Sequence, residues 1–130
     1  MRMPYPSIRG NVLDSWIEEG ADMVLVDLRT RQEYGAAHLR GAVNLPFQEI
    51  AGRFRELPAD KTLVFYCGRG AQSMRVCGRL CRMGFRVVNL AGGLLYYRGK
   101  YLEAGGEKPA GKATEMLTGP GDRTYNDSEP

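Results

Sequence analysis

Apolar residues fall along this chain in short unbroken runs and in spaced stripes, and the two patterns alternate. Met23-Val24-Leu25-Val26 and Thr62-Leu63-Val64-Phe65-Tyr66 are continuous runs of strand length, as expected for strands covered on both faces. Residues 42–45, closed by Pro46, and residues 86–90 read as two further strands. Between them the apolar positions recur at helical spacing. Val12, Leu13, Trp16 and Ile17 mark a helix over 11–19, with Asn11 as its cap and Gly20 as its stop. Thr30 and Glu33 form a capping box that starts another helix. Ile50, Phe54 and Leu57 suggest one ending at Pro58, and residues 73–83, stopped by Gly84, suggest a fourth. After an Ala91-Gly92-Gly93 turn, a last helix is expected over 94–103. Alternating elements with apolar strands predict an α/β domain, a mainly parallel sheet flanked by helices.

Past Gly105 the pattern stops. Gly, Pro, Lys, Glu, Asp, Ser and Thr dominate, so residues 1–104 are expected to form the domain and 105–130 a disordered or loosely docked tail. The formal net charge of +3 is too small for a nucleic-acid footprint and favours anionic small molecules or acidic protein surfaces. No apolar run is long enough to span a membrane, and residues 1–10 lack the apolar centre of a signal peptide. A cytoplasmic protein is the expectation. Three cysteines suit a reducing compartment better than a disulfide framework.

One of those cysteines stands where chemistry is expected. In open parallel sheets, sites form outside the carboxyl ends of strands. Cys67 follows the strand ending at Tyr66, and Gly68-Arg69-Gly70-Ala71-Gln72 leads to Ser73, read as the N-cap of the next helix. Two glycines let such a loop curl and aim its amides inward, and a helix start adds partial positive charge. Together these hold a thiolate, and the same amides can hold a persulfide anion without any cofactor or metal. A buried structural thiol is the competing reading.

Four blocks stand in order along the chain: Val24-Leu25-Val26-Asp27-Leu28-Arg29 with Glu33-Tyr34; Ala37-His38-Leu39-Arg40-Gly41-Ala42-Val43-Asn44-Leu45-Pro46; Cys67 to Ser73; and Asn89-Leu90-Ala91-Gly92-Gly93-Leu94. They resemble, in turn, the first signature, the second signature, the active loop and the closing turn of the rhodanese family. The match spans about residues 8–102. It implies a three-layer rhodanese-like domain and a sulfurtransferase carrying sulfane sulfur on Cys67. The implied donors are thiosulfate or a persulfide, and the acceptors a thiol or, in vitro, cyanide. Gln72 stands where the family often has Arg, leaving Arg69 as the loop's cation; Ala37 and Tyr97 replace a usual Gly and Trp.

The remaining candidates divide between chemistry and structure. His38, the only histidine, could be a general base but is read as a hydrogen-bonded packing residue. Asp27 and Arg29 are read as ties to neighbouring backbone, with Arg29–Glu33 a possible ion pair. Cys77 and Cys81, four apart, are read as core residues rather than a resolving thiol or half a zinc site. Arg75, Arg79, Arg82 and Arg86 form a basic stripe, either solvated or able to guide an acidic acceptor protein. Two other functions compete. A cysteine phosphatase needs a guanidinium six residues after the thiol, where this chain has Ser73; a non-catalytic binding module would be expected to lose the loop cysteine.

Overall fold

The computed structural model describes residues 4–105. Five strands form a parallel sheet: β1 (Ser7–Ile8), β2 (Met23–Asp27), β4 (Val43–Asn44), β5 (Thr62–Tyr66) and β6 (Arg86–Leu90), in the order β1-β6-β5-β2-β4. Successive strand residues point to opposite faces, and both faces are covered. Val24, Val26, Leu63 and Phe65 pack with Ile50, Leu57, Val76, Cys77 and Leu80 on one side. Leu25, Val64, Tyr66, Val88 and Leu90 pack with Leu13, Tyr34 and Leu39 on the other. This explains why β2 and β5 read as unbroken apolar runs, and it produces the expected three layers.

The helices are α1 (Gly10–Glu19), α2 (Arg31–Ala36), α3 (Ile50–Arg53) and α4 (Ala71–Arg82). The capping box is present: Glu33 N–H donates to Thr30 Oγ1 at 3.1 Å, and Thr30 N–H to a Glu33 carboxylate oxygen at 3.1 Å. Two starts differ from expectation. α1 begins one residue before Asn11, with Arg9 at the cap position and no side-chain cap. α4 begins at Ala71 with Gly70 as its cap residue, so Ser73 is the third helical residue and not the N-cap. The helix expected around Ile50 is a 3₁₀–α–3₁₀ sequence over Phe47–Glu49, Ile50–Arg53 and Phe54–Glu56, broken where Arg53 reaches φ −130°.

The largest departure is at the end of the domain. The helix expected over 94–103 is a single 3₁₀ turn, Leu94–Tyr96, followed by irregular chain and β7 (Leu102–Ala104). Buried Asp14 of α1 is the cause. It accepts from Tyr97 Oη at 2.5 Å and from Lys100 N–H at 2.9 Å, and Tyr101 N–H donates to Tyr97 Oη at 2.9 Å. Amides tied to side chains in this way cannot feed a helix. Tyr97 therefore gives the fold a hydrogen bond as well as packing. The freed chain lets β7 pair antiparallel with β3 (Ala37–Leu39), which opens the second signature, in a small second sheet. Gly105 N–H donates to Ala36 O at 2.7 Å; the rest of the expected tail lies outside the described residues. Among the described residues no helix is long and apolar enough to cross a membrane.

Buried acids make this core sensitive to alkali. Burial first, then the Asp27 carboxylate, raises Tyr34 to about 12 and Tyr66 well above the ordinary 10. Burial and the hydrogen bond to Asp14 raise Tyr97 to about 12. Burial, with Cys81 and Cys67 nearby, raises Cys77 from 9 to about 12. Each group holds its proton more tightly folded than unfolded, so stability is intact below the unfolded pKa and lost as pH rises towards 12. Melting temperature is expected to fall steadily from about pH 9 upward. A flat profile to pH 11 would contradict these shifts.

Candidate active site

The cap that Ser73 does not provide is provided by sulfur. Cys67 Sγ accepts from Gly70 N–H at 3.1 Å and Ser73 N–H at 3.3 Å. These donors stand at the start of a twelve-residue helix, whose partial positive charge adds to theirs. The sulfur thereby accepts from amides the helix would otherwise leave unpaired. The Ser73 hydroxyl, released from capping, faces Asn89 Oδ1 at 2.6 Å and Gly70 O at 3.1 Å, and lies 3.6 Å from Cys67 Sγ. Asn89 is buried on β6 and held in turn by its amide donating to Ser7 Oγ at 3.2 Å.

The loop's curl is built from behind. Gly70 takes φ +102°, which only glycine adopts without strain, and a Cβ added there would meet the Gly92 backbone at 3.4–3.6 Å. Leu94 N–H donates to Cys67 O and Leu95 N–H to Gly68 O, both at 2.9 Å, so the closing turn clamps the front half of the loop. Sequence reasoning found the 89–94 motif but not its use. Asn89 and the amides of Leu94 and Leu95 carry no signature that reveals contact with a loop twenty residues earlier.

Cys67 is 2% exposed and forms part of a cleft of about 430 Å³. Gly68, Arg69, Ala71 and Gln72 of the loop line it together with Leu28, Arg29, Thr30, Glu33, Pro46, Phe47 and Gln48. The structure thus gathers the loop residues singled out from sequence around one cavity, except that Gly70 and Ser73 turn inward to the sulfur. Arg29 borders the cleft, but its guanidinium is committed to Asp27 Oδ2 at 2.8 Å and to Ala37 O at 2.5 Å. Its expected pairing with Glu33 gives way to this one, Glu33 being held by Thr30. Arg69 is exposed at the rim with no carboxylate partner among the described residues.

The other candidates do not line the cleft. His38 stacks on Tyr34 with ring centres 3.9 Å apart, its Nδ1 is 2.8 Å from Tyr34 O, and it does not line the cleft. Asp27 binds Arg29 and accepts from Tyr66 Oη at 2.6 Å, while Asn44 ties the neighbouring backbone. Cys77 is fully buried in the core and half-buried Cys81 packs against it. The arrangement places one cysteine sulfur, bonded by two loop amides, in the lining of a cleft of about 430 Å³.

A family model described as a rhodanese-like domain matches residues 11–100. A sulfurtransferase of Allochromatium vinosum is 37% identical over 84 residues, covering 64% of this chain and 78% of that protein. Thiosulfate sulfurtransferase PspE of Escherichia coli is 37% identical over 71 residues, covering 53% and 68%. A rhodanese-related protein from Thermoplasma volcanium shares the fold, with a TM-score of 0.69 at 23% identity over 75% of this chain and 97% of its own.

Proposed function

Because the chain belongs to the rhodanese-like family, a family with sulfurtransferase members, we propose that it transfers sulfane sulfur as a persulfide on Cys67. The observation carrying this reading is the pair of loop amides that converge on Cys67 Sγ, in a residue that lines the cleft. The Cys67 thiolate attacks the outer sulfur of thiosulfate, the S–S bond breaks, and sulfite leaves with the bonding electrons. The persulfide's terminal sulfur keeps a negative charge that the same N–H groups can hold. Cyanide carbon, or an acceptor thiolate, then attacks that terminal sulfur and Cys67 departs as a thiolate. Thiocyanate or an acceptor persulfide is released. Atoms and electrons balance without an oxidant or a cofactor.

The position six residues after the thiol supports this over phosphate chemistry. Ser73 offers no guanidinium, and its hydroxyl faces Asn89 and Gly70 O. Retention of a thiol with its charge-holding amides likewise favours catalysis over a passive binding module. Steady-state kinetics with thiosulfate and cyanide test the covalent step: parallel double-reciprocal lines are expected, and intersecting lines would remove the free persulfide.

Arg69 is the uncommitted cation at the rim. Arg69→Ala is expected to raise the KM for thiosulfate about fivefold with little change in turnover at saturating donor, the effect of one exposed charge contact. An unchanged KM would leave donor binding to the amides alone.

A further inference from the structure

A second groove, of about 590 Å³, adjoins the catalytic cleft and shares Phe47 and Gln48 with it. It runs between α4 and the 47–51 segment. Phe47, Ile50, Met74 and Val76 give it apolar walls, and Arg75, Arg79 and Arg82 line it from α4. All three arginines are exposed, and none has a carboxylate partner among the described residues. Elsewhere on this surface Arg31 and Arg53 pair with Glu49, and Arg40 with Glu103. Like charges three and four apart on one helix repel. The helix dipole favours Arg79 and Arg82 in the last turn. It gives no such support to Arg75, which lies in the first half of α4 and stacks over Phe47 at 5.7 Å.

Resting on the sulfur-transfer reading above, we infer that this groove docks an acidic peptide segment beside the acceptor thiol of a protein sulfur acceptor. The cations match carboxylates at peptide spacing, and the apolar walls match intervening side chains. The groove also leads to the sulfur: α4 starts at the Cys67 loop, and Phe47 and Gln48 belong to both cavities. Since Cys67 is 2% exposed, a protein thiol reaches it only on a narrow projecting segment, and such a segment has to lie along a wall next to the cleft. Single-stranded nucleic acid fits less well. It calls for exposed aromatic stacking faces beside the cations, and the groove's one aromatic, Phe47, lies beneath Arg75.

The test uses thiosulfate as donor and three acceptors: cyanide, a short peptide with one cysteine preceded by glutamates, and its glutamine counterpart. The wild-type protein is expected to show a KM about tenfold lower for the acidic peptide, and the preference should fade as salt shortens the screening length to roughly 8 Å and below. Arg79→Glu with Arg82→Glu should erase or invert the preference while cyanide turnover, which also reports folding, stays unchanged. Arg79→Gln with Arg82→Gln should fall between. Equal KM values for the two peptides, or a preference that survives the reversal, would overturn the docking site and leave sulfur transfer standing. Absence of thiocyanate and of persulfide would instead sink the functional reading. Displacement of the acidic peptide by a short single-stranded RNA, with no preference between peptides, would reassign the groove to nucleic acid.

Discussion

Cys67→Ser is expected to reduce thiocyanate formation from thiosulfate and cyanide to background, a loss on the order of a thousandfold or more. Serine can accept the same two amide hydrogen bonds from Gly70 and Ser73, so the loop should keep its shape. What is lost is a polarisable nucleophile that attacks sulfane sulfur and later departs as a stable anion. The variant should therefore melt close to the wild type while being inactive. Appreciable activity in a folded Cys67→Ser protein would remove the site assignment, and a shared loss of activity and stability would point to a structural cysteine.

Gly93→Ala should produce the largest change outside Cys67. Gly93 has φ +68° and ψ −166°, a region that side-chain-bearing residues essentially do not occupy. An added Cβ would also stand 2.6 Å from Cys67 O and 2.7 Å from Gly68 O. Those carbonyls accept from Leu94 and Leu95, so relief of the clash must pull the loop off its clamp and shift the sulfur from its amides. A cost of roughly 2–4 kcal/mol is expected, or a melting drop of about 10–20 °C for a domain of this size. Turnover should fall as well. Gly35→Ala is the contrast: it sits within α2 with nothing near its missing Cβ and no positive φ, so it should be neutral or slightly stabilising. Equal behaviour of the two variants would mean the closing turn does not shape the loop.

How much of this was legible in the sequence depended on how local its cause was. β2, β5 and β6 follow from runs whose alternate residues feed two cores, and the Thr30–Glu33 box is complete within four residues. The Cys67 loop was legible for the same reason, since a thiol, two glycines and a helix start lie within seven positions. Non-local partners defeated the rest. Ser73 is a good capping residue by type, yet the helix starts at Ala71 and the sulfur of Cys67 accepts from Gly70 and from Ser73 itself. Residues 94–103 have helical spacing, but Asp14, more than eighty positions away, captures Tyr97 and Lys100. The β3–β7 pairing follows from that capture. Asn89 read as part of a motif, and only the fold shows it holding the Ser73 hydroxyl 3.6 Å from the Cys67 sulfur.

Persulfide formation is most directly measured by intact mass after brief thiosulfate treatment and removal of excess donor. The wild-type protein should gain the mass of one sulfur atom, lose it on adding cyanide, and release thiocyanate in equal amount. Cys67→Ser should gain nothing, although Cys77 and Cys81 are still present. A wild-type protein that gains no sulfur, or a Cys67→Ser protein that gains the same mass, would contradict the assignment of Cys67 as the sulfur carrier.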